Sequence, residues 1–175
     1  MTVSGRVPLV LLGGLLPVLL WPGVGTVILF SCLVAAVCAV DLLLSTPINQ
    51  FAVERQALLI TRLGESCNSC ISLTNLSKRR SDIEVRDAWP PSAGITATPV
   101  RLVLATAATS QIVTSLHPTK RGETVAGPVV LRSWGPLGLA ARQRSISLAS
   151  RLRVLPAFAS HRHLPSRLAR LRLFD

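Results

Sequence analysis

The sequence predicts an N-terminal transmembrane α-hairpin followed by an all-β, antiparallel sandwich-like domain of the immunoglobulin-like type. Three observations carry this. Residues 7–44 contain one charged side chain, Asp41. Beyond residue 44 the apolar positions alternate along short runs, the period of a half-buried strand. Clusters rich in Pro, Gly and Ser separate those runs, and no helical period appears between them. The organisation expected is a hairpin over 1–44, a sandwich over 45–158 and a basic tail or truncated linker over 159–175.

The first apolar segment, residues 7–20, holds Pro8, Gly13, Gly14 and Pro17. As a helix it reaches about 21 Å, short for a hydrocarbon layer of ~30 Å. The second, residues 25–44, reaches about 30 Å and is the stronger crossing. Trp21, Pro22 and Gly23 between them form the turn, with Trp21 suited to the headgroup boundary. Arg6 precedes the first segment, basic sequence follows the second, and the turn carries no Lys or Arg, so both ends are expected in the cytoplasm of a multi-pass cell-membrane protein. The alternative is a secreted or surface β domain released by signal cleavage near Val37-Cys38-Ala39. Against it, the apolar run is far longer than the ~7–15 residues of a signal core.

Candidate strands follow at 51–55, 58–62, 67–74, 83–88, 100–105, 111–116, 129–132, 145–148 and 152–155. Turn clusters fall at 77–81, 90–94, 118–122 and 135–138. Ile83 and Val85 against Glu84 and Arg86 give one dry and one wet face, as a two-layer sandwich requires.

Lys and Arg number 19 against 8 Asp and Glu, a formal charge of +11. Arg6 and Asp41 cancel, so nearly all the excess lies beyond the hairpin. Such a surface draws anions: lipid headgroups, an acidic protein or nucleic acid. Nucleic acid is the least expected, because the chain has no Tyr and few rings on which bases stack. The asymmetry peaks late. Residues 124–174 carry no acid, and a stripe of Leu164, Leu168 and Leu171 is flanked by arginines. Arg162, Arg167, Arg170 and Arg172 are the candidate contacts for anionic lipid or a partner, each worth about 1 kcal/mol near a charged leaflet.

No constellation for catalysis, metal or cofactor emerges, and no enzyme is expected. Cys67 and Cys70 lie three apart on a strand and so face opposite ways, which a zinc site forbids. His161 and His163 flank the cationic Arg162 and lack a third ligand. Asp87 beside Trp89 reads as a strand-end or turn residue in preference to a general base. Asn75-Leu76-Ser77 matches a glycosylation acceptor, but an Asn ending a strand before a basic turn is the simpler reading.

The order Pro118-Thr119-Lys120-Arg121-Gly122, Gly127-Pro128, Arg132-Ser133, Pro136-Leu137-Gly138-Leu139 and Leu152-Arg153-Val154-Leu155-Pro156 resembles the N-terminal half of the bacterial family called domain of unknown function fifty-eight, notably its actinobacterial members. That resemblance implies a membrane-anchored protein with a cytoplasmic sandwich, acting beside MoxR-type AAA+ ATPases in the assembly or maturation of partners. It also implies a von Willebrand factor A-like domain after the sandwich. The chain ends at Asp175, near where that domain would begin, and so looks like a truncated or split member. The Arg-Gly and Pro-Leu-Gly elements are expected to be scaffold, with Gly permitting positive φ and Pro fixing its own.

Overall fold

The structure is a computed structural model that describes residues 2–95 and 99–157. In chain order it runs β1 (Thr2–Val3), α1 (Arg6–Gly13), α2 (Leu15–Leu20), α3 (Val24–Leu44), a 3₁₀ turn (Ile48–Gln50), β2 (Phe51–Arg55), β3 (Leu58–Arg62), β4 (Cys67–Asn75) and β5 (Ser81–Asp87). After a 3₁₀ turn (Pro91–Ala93) come β6 (Val100–Leu104), β7 (Thr109–Leu116), β8 (Gly122–Val125), β9 (Val129–Trp134), β10 (Ala140–Ile146) and β11 (Arg151–Leu155).

The apolar residues form helices that bury almost nothing. α3 is long and apolar enough to cross a membrane, whereas the stretch Arg6–Leu20 is shorter. At 21 residues, α3 extends about 31 Å, the thickness of a hydrocarbon layer. Leu16, Leu19, Leu29 and Leu43 stand outward, each more than two-thirds exposed. Within α3 only Val34 and Asp41 are buried. Trp21-Pro22-Gly23 separates α2 from α3, with the Thr26 hydroxyl donating to the Trp21 carbonyl at 2.9 Å. The helices approach closely at Gly14, where a Cβ would fall on the Phe30 ring. A small residue at a helix crossing is how backbones come near in lipid.

The β region is an antiparallel sandwich. One sheet runs β1-β10-β9-β5-β6, and a second runs β2-β4-β7. Their facing side chains make one core: Ile83, Val85 and Leu131 from the first sheet meet Phe51, Ile71 and Leu73 from the second. The alternation expected at β5 holds, since Ile83 and Val85 are buried while Glu84 and Arg86 are not. Burying each such aliphatic side chain is worth about 1.5–3 kcal/mol.

A third sheet, β3-β11-β8, departs from antiparallel order, because β11 pairs in parallel with β3 and antiparallel with β8. Leu59, Leu152 and Val154 of this sheet pack with Trp89, Ala93 and Leu116 into a second, smaller core. Gly94, at φ +62 with a Cβ position overlapping the His117 backbone, is required where the β5–β6 connection crosses β7.

Two strands were not apparent in the sequence. β1 pairs Thr2 with Ala141 and Val3 with Ala140, so the N-terminus returns to the sandwich edge. β8 is four residues long and begins at Gly122. The strand expected at 145–148 is displaced to Ala140–Ile146, where it is held between β9 and β1.

Candidate functional site: the joint between helix and sandwich

A carboxylate in an apolar helix is expensive unless its oxygens are satisfied. Asp41 sits one turn before the end of α3 and is fully buried. Its Oδ1 accepts the Leu137 N–H at 2.7 Å, and its Oδ2 accepts the N–H groups of Leu139 at 2.8 Å and Ala140 at 2.9 Å. All three donors belong to the β9–β10 turn or the first residue of β10. Gly138 adopts φ +67 there, turning successive amides toward one side. Gly135 also meets Asp41, for a Cβ at Gly135 would overlap both the Asp41 carbonyl and its carboxylate.

β10 grips the helix end a second time. Arg142 Nε donates to the Leu42 carbonyl at 3.3 Å and to Ser45 Oγ at 3.1 Å, placing a cation at the negative end of the α3 dipole. Ser45 closes the helix, donating its N–H to the Asp41 carbonyl and its hydroxyl to the Leu42 carbonyl at 2.7 Å. Ser4 N–H donates to the Leu139 carbonyl at 2.8 Å from the N-terminal side. Both ends of the helical hairpin are therefore fastened to the β9–β10 turn and β10. The Pro136-Leu137-Gly138-Leu139 element, expected to be scaffold, supplies two of the three backbone donors of this joint.

Beside the joint lie two clefts of about 420 and 410 Å³. Leu43, Leu44, Leu76, Lys78 and Arg79 line the first; Leu44, Arg79, Arg80, Asp82 and Trp134 line the second. Lys78, Arg79 and Arg80, in the β4–β5 turn, are exposed, and no salt bridge to them occurs among the described residues. Asp82, the acid in this region, is engaged by Arg101, whose Nη2 lies 2.6 Å away. That hydrogen bond pushes the Arg101 guanidinium above its ordinary value, partly offset by burial.

A separate polar cluster lies inside the sandwich. Asp87, the last residue of β5, forms a buried ion pair with Arg55 and accepts from Trp89 Nε1 at 3.0 Å and Ser69 Oγ at 3.2 Å. Arg55 also donates to the Gly127 carbonyl at 2.9 Å and lies over the Trp89 ring at 5.4 Å. Burial pushes the Arg55 guanidinium below its ordinary value. The three side chains that meet the Asp87 carboxylate are all donors; of the two positions expected for it, it takes the strand end, where it ties β2, β4 and β5 together.

Cys67 is partly buried beside the inward-facing Ser69, and burial pushes its thiol up. Cys70 takes the opposite face, and no cluster of three or more metal-ligating side chains occurs among the described residues. Asn75 is fully buried: its Nδ2 donates to the Arg79, Leu104 and Ala105 carbonyls, and its Oδ1 accepts from the Ser77 N–H and hydroxyl. No atom of that amide is open to a glycan. Arg162, Arg167, Arg170 and Arg172, together with His161 and His163, lie outside the described residues.

No family model matches the chain, and no curated protein is significantly similar to it. Among solved structures, it is similar to a PapD-like domain of human CEP192, with 12% identity and a TM-score of 0.45 over 63% of this chain and 87% of that one. It is also similar to Escherichia coli alpha-2-macroglobulin, with 14% identity and a TM-score of 0.44 over 62% of this chain and 10% of that one. A Caenorhabditis elegans protein of the MSP family, WR4, gives 15% identity and a TM-score of 0.40 over 62% and 98%. Likeness at this level carries no functional argument, and the sandwich assignment rests on the sheets and shared core described above.

Proposed function

We propose that this protein is a membrane-anchored, non-enzymatic interaction module. The hairpin is its anchor, and the sandwich is a scaffold held at a set position against the bilayer. The carrying observation is the Asp41 joint, in which three backbone donors of the sandwich engage a carboxylate near the end of an otherwise apolar, outward-facing helix. A freely flexible tether would need no such fastening. The attachment of both hairpin ends to one region of the sandwich supports a two-pass topology, and the basic sequence after the hairpin supports a cytoplasmic sandwich. The resemblance in the turn motifs extends the proposal to a MoxR-type AAA+ ATPase as a partner in assembly.

The test is a reporter fused after Asp175, combined with sequencing of the mature N-terminus. Cytoplasmic reporter activity on a chain beginning at its own N-terminus, in a fraction resistant to alkaline carbonate, is the expected result. A mature N-terminus near residue 40 and an external reporter would instead establish a released β domain. Such cleavage would remove β1 and most of α3, and leave Asp41 at the new chain end.

A further inference from the structure

We infer that the β4–β5 turn binds the headgroup of an anionic phospholipid at the foot of α3, with Lys78, Arg79 and Arg80 facing its phosphate. The inference rests on the reading of α3 as a membrane anchor. Three independent features converge on it.

The first is position. Arg79 and Leu44 line both clefts, so the cations lie beside the last residue of α3. If the ~30 Å of α3 fills the hydrocarbon layer, Leu44 marks its boundary and the turn stands at headgroup depth. The second is charge. These three side chains are exposed and unpaired among the described residues, while the acid beside them, Asp82, is already neutralised by Arg101. An isolated turn of three adjacent cations without acids repels itself, and an anion at its centre relieves that repulsion. The third is the chemistry of the walls. Leu43 and Leu76, 74% and 65% exposed, offer apolar surface to acyl chains on one side, and the partly exposed Trp134 stands at the other cleft as an interfacial ring. Free phosphate would use the cations and leave this apolar surface bare, so the site suits a lipid.

Full-length protein in neutral detergent is mixed with phosphatidylglycerol, phosphatidylcholine of the same chain length, or inorganic phosphate, and bound adducts are followed by native mass spectrometry. Phosphatidylglycerol is expected to bind in preference to phosphatidylcholine and to resist displacement by inorganic phosphate. Replacing Lys78, Arg79 and Arg80 by Gln should weaken the phosphatidylglycerol adduct about a hundredfold, as the sum of three surface cations implies. Arg79→Gln alone should weaken it about fivefold to tenfold, which keeps the test valid if the triple variant folds poorly. Arg153→Gln, an exposed cation of β11 that lines neither cleft, should retain it.

Equal binding of the two lipids, free competition by inorganic phosphate, or an undiminished adduct in a folded triple variant would overturn the site. An equal loss in Arg153→Gln would also overturn it. Release of the wild-type chain from membranes by alkaline carbonate would overturn the anchor and the site together, whereas carbonate resistance without lipid preference would overturn the site alone.

Discussion

Gly135 lies so close to Asp41 that a single methyl group at its Cα would occupy the space of the Asp41 carboxylate and carbonyl. Helix and sandwich therefore meet so closely that the contact admits no side chain at residue 135. Asp41 in turn is held by the amides of Leu137, Leu139 and Ala140.

Removing the carboxylate should loosen the joint severely. Asp41→Ala leaves buried N–H groups at Leu139 and Ala140 unpaired and is expected to destabilise the folded protein by about 3–5 kcal/mol. Asp41→Asn should recover part of the loss, because its carbonyl oxygen can still accept from Leu139 and Ala140 while its amide nitrogen turns a donor toward the Leu137 N–H. Thermal melting of the detergent-solubilised chain, with protease sensitivity of residues 136–139, measures both effects. An unchanged melting temperature in Asp41→Ala would dismiss the joint as a stabilising element.

Gly135→Ala should be damaging by the same route. It is expected to cost about 2–4 kcal/mol through overlap with the helix end, well beyond the ordinary effect of a Gly→Ala change in a loop. In a double-mutant cycle with Asp41→Ala the two losses should fall short of adding, with at least about 1 kcal/mol of coupling. Strict additivity of the pair would show that they act separately.

Within the sandwich, Asp87→Ala leaves Arg55 charged and dry, so it should cost about 3–5 kcal/mol. The double variant Arg55→Met, Asp87→Ala removes both charges and is expected to be less destabilised than Asp87→Ala alone. Chemical denaturation of the three proteins makes the comparison. A double variant worse than the single one would contradict the assignment of Asp87 as the counter-ion that makes Arg55 tolerable.

Asn75→Asp is nearly isosteric but replaces a donor by an anion facing three carbonyl oxygens. A loss of about 2–4 kcal/mol is expected, larger at neutral pH than at acid pH, where a protonated Asp regains one donor. The sign follows from burial and carbonyl contact, which disfavour the charged form in the folded state, so stability falls as pH rises. A stability difference from wild type that does not change between pH 4 and pH 7 would refute the role given to Nδ2.

Much of the fold was legible because its inner strands alternate cleanly. Ser69, Ile71 and Leu73, like Ile83 and Val85, present one dry face at period two. β10 was read too late in the chain because Ala140-Ala141-Arg142-Gln143 lacks β-branched residues, and its extended form is imposed by the neighbours β9 and β1. β8 opens with Gly122 and has only four residues, too few to show a period. The joint was half visible. Asp41 stood out as the one charge in an apolar helix, but its partners are main-chain amides 96 to 99 residues away, and amides leave no signature in side-chain pattern. Gly138 and Pro136 could be read as a turn, though not as a turn that faces a helix.

The distance along the chain between Asp41 and Ala140 also sets an order of events during synthesis. At about 5–20 residues per second, roughly 5–20 s separate the appearance of the carboxylate from that of its last donor. During that interval the helices are already made, while the Asp41 carboxylate has only water to satisfy it. Among the described residues β10 is the next-to-last strand to be made, and it brings with it the partner for β1, the cation for the helix end and the Ala140 amide. Its arrival converts a loosely joined nascent chain into a docked one, so α3 is seated late, after both facing sheets have begun to form.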